Sequence, residues 1–109
     1  LFIFIAHYVR RIKLGRYIVM WDDYVSIIPL DPEDRKMSWL GSLEMERPNM
    51  KERGTVDWGC FIGTPNGYSI HEGSKEDVIN STLQFIPYFK FQIFEVANIY
   101  ELESAIKTM

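Results

Sequence analysis

Val56-Asp57-Trp58-Gly59-Cys60-Phe61-Ile62 and Tyr68-Ser69-Ile70-His71-Glu72 flank the link Gly63-Thr64-Pro65-Asn66-Gly67. Two strand-like runs around a cluster of turn-formers predict a β-hairpin with a loop of about four or five residues. A helix signal stands on either side. Upstream, Asp31-Pro32-Glu33-Asp34 supplies an Asp cap, a proline at the first helical position and acids facing the positive end of the helix dipole. Met37, Leu40 and Leu43 follow at helical spacing as the expected buried stripe, and Pro48 is expected to kink or end the helix near Glu46, with a last turn from Met50 to Arg53 closed by Gly54. Downstream, Ser74 caps a second helix with Asp77 three residues on, Val78, Ile79, Leu83 and Ile86 form its buried side, and Pro87 stops it.

A strand lies beyond each of these two helices. Arg16-Tyr17-Ile18-Val19-Met20-Trp21-Asp22 is apolar on both alternating faces, and the line continues as an extended connection through Tyr24 to Leu30. Phe89 to Val96 places Phe89, Phe91 and Ile93 on one face and Lys90, Gln92, Phe94 and Val96 on the other. Asn98, with Glu101 at the third position, caps a short terminal helix anchored by Leu102 and Ile106. The order is strand, helix, strand, strand, helix, strand, helix. It predicts an α+β fold of the ferredoxin-like βαββαβ type, with a four-stranded antiparallel sheet and a short C-terminal helix, over residues 16–109. Residues 1–15 form a basic and apolar extension that the core fold does not need.

Composition narrows the class. The chain has 109 residues, 47% of them hydrophobic and 25% charged, as expected of one globular domain. Its single cysteine, Cys60, rules out an intrachain disulfide and multi-cysteine zinc sites and fits a reducing, cytoplasmic compartment. The apolar run from Leu1 to Ala6 is too short to span a membrane. The cations Arg10, Arg11, Lys13 and Arg16 follow it rather than precede it, unlike a signal peptide. Residues 1–16 hold four Arg/Lys and no acid, whereas the other 93 hold eight Arg/Lys against fifteen Asp/Glu, an acidic body that argues against nucleic-acid binding. Neither a nucleic acid nor a membrane is therefore expected as a partner. Both faces of the strands at Tyr17–Asp22 and Phe89–Val96 carry large apolar residues, and helices can cover only one, so a homodimer is expected.

Aromatic residues make up 15% of the chain, more than one small core needs. Trp21, Trp58, Tyr68, Phe61 and Phe94 are expected to line a pocket or a subunit interface. His71, which titrates near neutrality, is expected to border any ligand site. His71 shares its strand face with Ser69, and Tyr68 and Ile70 on the opposite face suit a helix layer, which assigns His71 to the face looking into a dimer cavity. A hairpin closing around Pro65-Asn66 brings Cys60 to within a residue or two of facing His71, yet nothing announces the oxyanion hole that a Cys-His nucleophilic pair needs. Asp22-Asp23 with Asp57 or Glu95 reads as a solvated strand end rather than a metal site, and no cofactor is expected.

Several strings together resemble a known group: Tyr17-Ile18-Val19-Met20-Trp21, Asp31-Pro32-Glu33-Asp34-Arg35, Asp57-Trp58-Gly59, Gly67-Tyr68 with Glu72-Gly73, and Pro87-Tyr88-Phe89-Lys90-Phe91. They are similar to uncharacterised prokaryotic, archaeal-type members of the dimeric α+β barrel superfamily, a group that also holds muconolactone isomerases and antibiotic-biosynthesis monooxygenases. The likeness spans about residues 16–107. It implies two ferredoxin-like subunits with their sheets face to face, and ligands bound between sheet and helices or inside the barrel. It brings no catalytic motif, and Pro48 departs from the uninterrupted first helix it implies. The function expected is a small dimeric ligand- or protein-interaction module with an aromatic-lined cavity that takes a small apolar or aromatic ligand at Trp21, Trp58, Tyr68, His71 and Phe94. The alternative is a cofactor-independent enzyme, of isomerase or monooxygenase type, acting on a small aromatic or lactone-like substrate with His71 as base.

Overall fold

Residues 15–23 and 27–109 are described by a computed structural model; the expectations for residues 1–14 and for Tyr24 to Ser26 lie outside them. The elements are β1 (Gly15–Asp23), α1 (Pro32–Glu52), β2 (Thr55–Cys60), β3 (Asn66–Gly73), α2 (Lys75–Leu83), β4 (Phe89–Val96) and α3 (Ile99–Lys107). The four strands form one antiparallel sheet in the order β2-β3-β1-β4, and the fold is α+β with three helices. Because β1 is antiparallel to β3 and β3 to β2, the strands joined by α1 run parallel with β3 between them. In the same way β3 and β4, joined by α2, run parallel with β1 between them.

The hairpin closes four residues short of the expected register. Cys60 pairs with Gly67, so the turn centres on Gly63-Thr64, where Gly63 supplies a φ of 87°, and β3 already begins at Asn66. Thr55 therefore faces His71, and Cys60 lies at the other end of the pairing, which removes the expected Cys60–His71 approach.

Alternation sorts the sheet into two faces. Tyr17, Val19 and Trp21 of β1, Ser69 and His71 of β3 and Phe89 of β4 are buried beneath helices. Ile18, Phe94 and the half-buried Met20, Tyr68 and Ile70 lie on the other face, which no helix among the described residues covers. The core consists of two clusters: Tyr17, Val19 and Val78, and Trp21, Phe85 and Phe89, with Phe91 packed against both.

Helix starts match the sequence signals, whereas the buried stripes do not. Asp31, Ser74 and Asn98 each accept a bond from the backbone N–H three residues on, and Ser74–Asp77 and Asn98–Glu101 are reciprocal capping boxes. Yet Met37 is 64% exposed and Leu40 also faces solvent; α1 instead buries Glu46 and Asn49 and continues unbroken through Pro48. Pro48 lies on the exposed side, where a carbonyl that loses its partner is solvated by water. In α2, Val78 is buried as expected, but Ser81, Thr82 and the following Phe85 take the places assigned to Ile79, Leu83 and Ile86, all of which are exposed. No residue of α3 is buried, so Leu102 and Ile106 anchor nothing among the described residues.

Candidate functional site

Two tryptophans are set by one glycine. Trp21 pairs with Gly67, and a β-carbon on Gly67 would collide with the Trp21 indole and with the Gly59 carbonyl, so the ring lies flat across the strand. Trp58, which pairs with Ser69 beside it, stacks on Trp21 at 5.1 Å between ring centroids with 7° between planes. The Trp21 indole N–H donates to the Tyr68 carbonyl at 3.2 Å, which fixes the rotamer.

Above these rings, between the sheet and helices α1 and α2, lies a cavity of about 30 Å³. That volume holds about two water molecules. The sheet contributes Val19, Trp21, Thr55, Trp58, Ser69 and His71 to its walls, and the helix side contributes Glu46, Asn49, Val78, Ser81 and Phe85. The number of polar groups is unusual for the middle of so small a domain, where buried residues are mostly apolar.

Asn49 makes three side-chain bonds and keeps one amide hydrogen unspent. Its Oδ1 accepts from Arg53 Nη1 at 3.2 Å and from Gln84 Nε2 at 3.3 Å, and its Nδ2 donates to Glu46 Oε2 at 3.4 Å. That long bond is the one polar contact made by the Glu46 carboxyl, and no Lys or Arg forms an ion pair with it among the described residues. Burial pushes Glu46 up to about 7, with the Asn49 bond opposing. The carboxyl is therefore part neutral and part ionised at neutral pH.

His71 is 1% exposed, and its Nε2 has no hydrogen-bond partner among the described residues. Burial pushes the imidazole below its ordinary value, and Asp77 partly opposes that. Leaving a buried polar nitrogen unmatched costs about 1–3 kcal/mol, so the group calls for an explanation.

Of the residues expected to form the site, Trp21, Trp58 and His71 meet in this cavity, whereas Tyr68 and Phe94 stand on the open face of the sheet. The expected orientation of β3 is reversed: His71 lies under the helices, and Tyr68 and Ile70 face away from them. The reason is the character of the helices, which bring carboxyl, amide and hydroxyl groups to the sheet and so meet the polar side of β3. On the open face, Tyr68 stacks with Phe61 at 6.2 Å and donates its hydroxyl to Asp57 Oδ2 at 2.9 Å, a bond that raises the phenol pKa. Glu46 and Asn49 were not anticipated. Their signal was the row Trp39, Leu43, Glu46, Asn49, Arg53, which shares one side of α1 at spacings of three and four. Among the described residues no group of three or more His, Cys, Asp or Glu could hold a metal ion, and no helix is long and apolar enough to cross a membrane.

No protein-family model matches the chain, and no curated protein matches it.

Proposed function

We propose that this chain is a ferredoxin-like subunit of the dimeric α+β barrel kind that pairs through its open sheet face and serves as a ligand-binding module, with the cavity over Trp21 and Trp58 as its site. The observation that carries the reading is the convergence of the stacked indoles, the Glu46 carboxyl and the His71 side chain on one cavity between sheet and helices. The ferredoxin-like assignment is supported by two helix-linked pairs of parallel strands, each split by one antiparallel strand, with α3 as an addition at the end. Pairing is supported by Ile18, Met20, Ile70 and Phe94 on a face that no helix among the described residues covers.

Volume favours the module over the enzyme. A substrate pocket for an aromatic or lactone-like molecule measures about 300 Å³ or more, whereas this cavity measures about 30 Å³. His71 and a carboxyl converge, as the enzyme reading requires, but with no room for such a substrate between them. The site fits a small ligand or the head of a larger one. Native mass spectrometry of protein purified without added ligand tests the module. A copurifying small molecule that Trp58→Ala releases is the expected result, and a ligand-free protein whose tryptophan fluorescence no small molecule perturbs overturns it.

A further inference from the structure

Phe85 and Phe89, which wall the cavity over the tryptophans, also wall a second and larger space of about 370 Å³ on their other side. Their rings stand edge-on to each other at 5.4 Å and form the partition. Among the described residues, α1 contributes Met37, Gly41 and Met45 to this space, the segment ahead of α1 contributes Ile27, and the chain entering β4 contributes Tyr88. Met37, Gly41 and Met45 recur every four residues, so they form one stripe along about 12 Å of the helix. The volume lies within the range of small-molecule pockets, about 300–1,000 Å³, and holds roughly a dozen non-hydrogen atoms at about 30 Å³ each. One turn of a helix with its side chains fills roughly 420 Å³, so no helix fits within it.

Gly41 sets this space apart from a chance gap. Glycine inside a helix is less favourable than alanine, because the freer unfolded chain loses more entropy on folding. The usual reasons for such a glycine are a backbone that only glycine adopts or a neighbour that approaches too closely for a β-carbon. Neither holds among the described residues: Gly41 has no positive φ, and a β-carbon built on it meets nothing within 4 Å. The open volume above it belongs to the cavity, with Gly41 as its floor.

The walls indicate the guest. Phe85, Tyr88 and Phe89 present rings, and Met37 and Met45 present thioethers, so an aromatic molecule gains edge-to-face and sulfur–ring contacts in addition to burial. Polar groups are few. Ser42 donates its hydroxyl to the Ser38 carbonyl at 3.1 Å, which leaves the Ser38 and Tyr88 hydroxyls as points for one hydrogen bond to a guest. Asp23 is the one charged residue of the lining, and its carboxylate repels an anion.

We propose that this second cavity binds one uncharged aromatic molecule of about two rings, laid over Gly41 between Met37 and Met45 and against Tyr88 and Phe89. The site is separate from the one over Trp21 and Trp58, and it stands whether or not that cavity takes a ligand. The test titrates the full chain, labelled at its methionine methyls, with 2-naphthol, 2-naphthoate and 1-octanol. Saturable shifts of the Met37 and Met45 methyls with 2-naphthol, at least fivefold weaker with the other two and lost in Gly41→Leu, are expected. Gly41→Ala is expected to raise the urea midpoint, since no atom opposes its β-carbon; a lowered midpoint would mean that the space over Gly41 is already filled. Equal saturation by 1-octanol or by 2-naphthoate would overturn the aromatic or the uncharged class respectively. Shifts confined to the Trp21 and Trp58 indole N–H groups would place the guest in the smaller cavity and overturn this site, and silence from every probe would do the same. Methionine shifts that grow with protein concentration alone would seat a second copy there instead. Should Gly41→Leu fail to fold, Tyr88→Ala on the opposite wall decides: undiminished affinity for 2-naphthol removes the assignment.

Discussion

Glu46 and His71 bind the proton in opposite senses, and each leaves its mark on stability. The folded pKa of Glu46 is raised from 4.5 to about 7, so the native state holds a proton that the unfolded chain has released in that window. Stability is complete below about 4.5 and falls as pH rises to 7, by roughly 2–3 kcal/mol. His71 has a folded pKa below its ordinary 6.5, so its contribution is present above 6.5 and is lost as pH falls below it. Urea midpoints from pH 4.5 to 7.5 are expected to show Glu46→Gln gaining on the unaltered protein steadily as pH rises; parallel curves would place Glu46 in water. Gly54 gives a second prediction at this scale. It has a φ of 89°, and a β-carbon there would run into the Glu72 carbonyl and come within 3.1 Å of His71 Nε2. Gly54→Ala is expected to cost more than about 1 kcal/mol in urea unfolding, since the strain and the collision add. The sequence already marked Gly54 as a helix terminator and His71 as a site residue. It did not disclose which face of β3 meets the helices. Alternation pairs Ser69 with His71 and Tyr68 with Ile70, but the choice between the pairs depends on what α1 and α2 carry, and their buried residues are polar.

At the scale of elements, caps were legible and faces were not, for a physical reason. A cap is settled within four residues, by one oxygen and the N–H groups that turn toward it, so Asp31, Ser74 and Asn98 could each be read locally. A buried face depends on the partner surface. Met37, Leu40 and Leu83 have the spacing of a core stripe but point outward, while Asn49, Ser81 and Thr82 point inward. The two capping boxes separate what a helix start contributes from what its packing contributes. Ser74→Ala should lower the stability of the whole domain by about 1 kcal/mol, because α2 covers the sheet through Val78. Asn98→Ala removes an equivalent bond from α3, which buries nothing. Its urea midpoint is expected to stay within about 0.5 kcal/mol of the unaltered protein in dilute solution, with a loss of far-ultraviolet helical signal. A matching loss of stability in Asn98→Ala would mean that α3 is seated on the sheet.

The whole molecule is larger than its length requires. Its Cα radius of gyration is 17.1 Å, against about 13 Å for a packed domain of a hundred residues. Ile99, Leu102 and Ile106 line α3 without a partner among the described residues, and Ile18 and Phe94 lie with the half-buried Ile70 across the sheet, with Phe94 52% exposed. Pairing through the open sheet face would cover the second set. Sedimentation equilibrium is expected to find a species of twice 12.9 kDa at micromolar concentration. Phe94→Glu should convert it to a monomer without unfolding it, since Phe94 is in neither core cluster. A monomer in the unaltered protein would remove the barrel. The apolar second face of β1 and β4 could be read from alternation alone; the isolation of α3 could not, because an amphipathic helix looks the same whichever molecule it packs on. The edges of the sheet bear on how such a molecule behaves when concentrated. A bulge between Thr55 and Asp57 breaks the rhythm of β2, the strand at one border, and Lys90 and Glu95 stand along β4 at the other. A kinked border and a charged one both resist the lateral addition of further strands. Exposed apolar side chains in this protein stand on faces, and the rims, where lateral pairing would propagate into fibrils, are guarded.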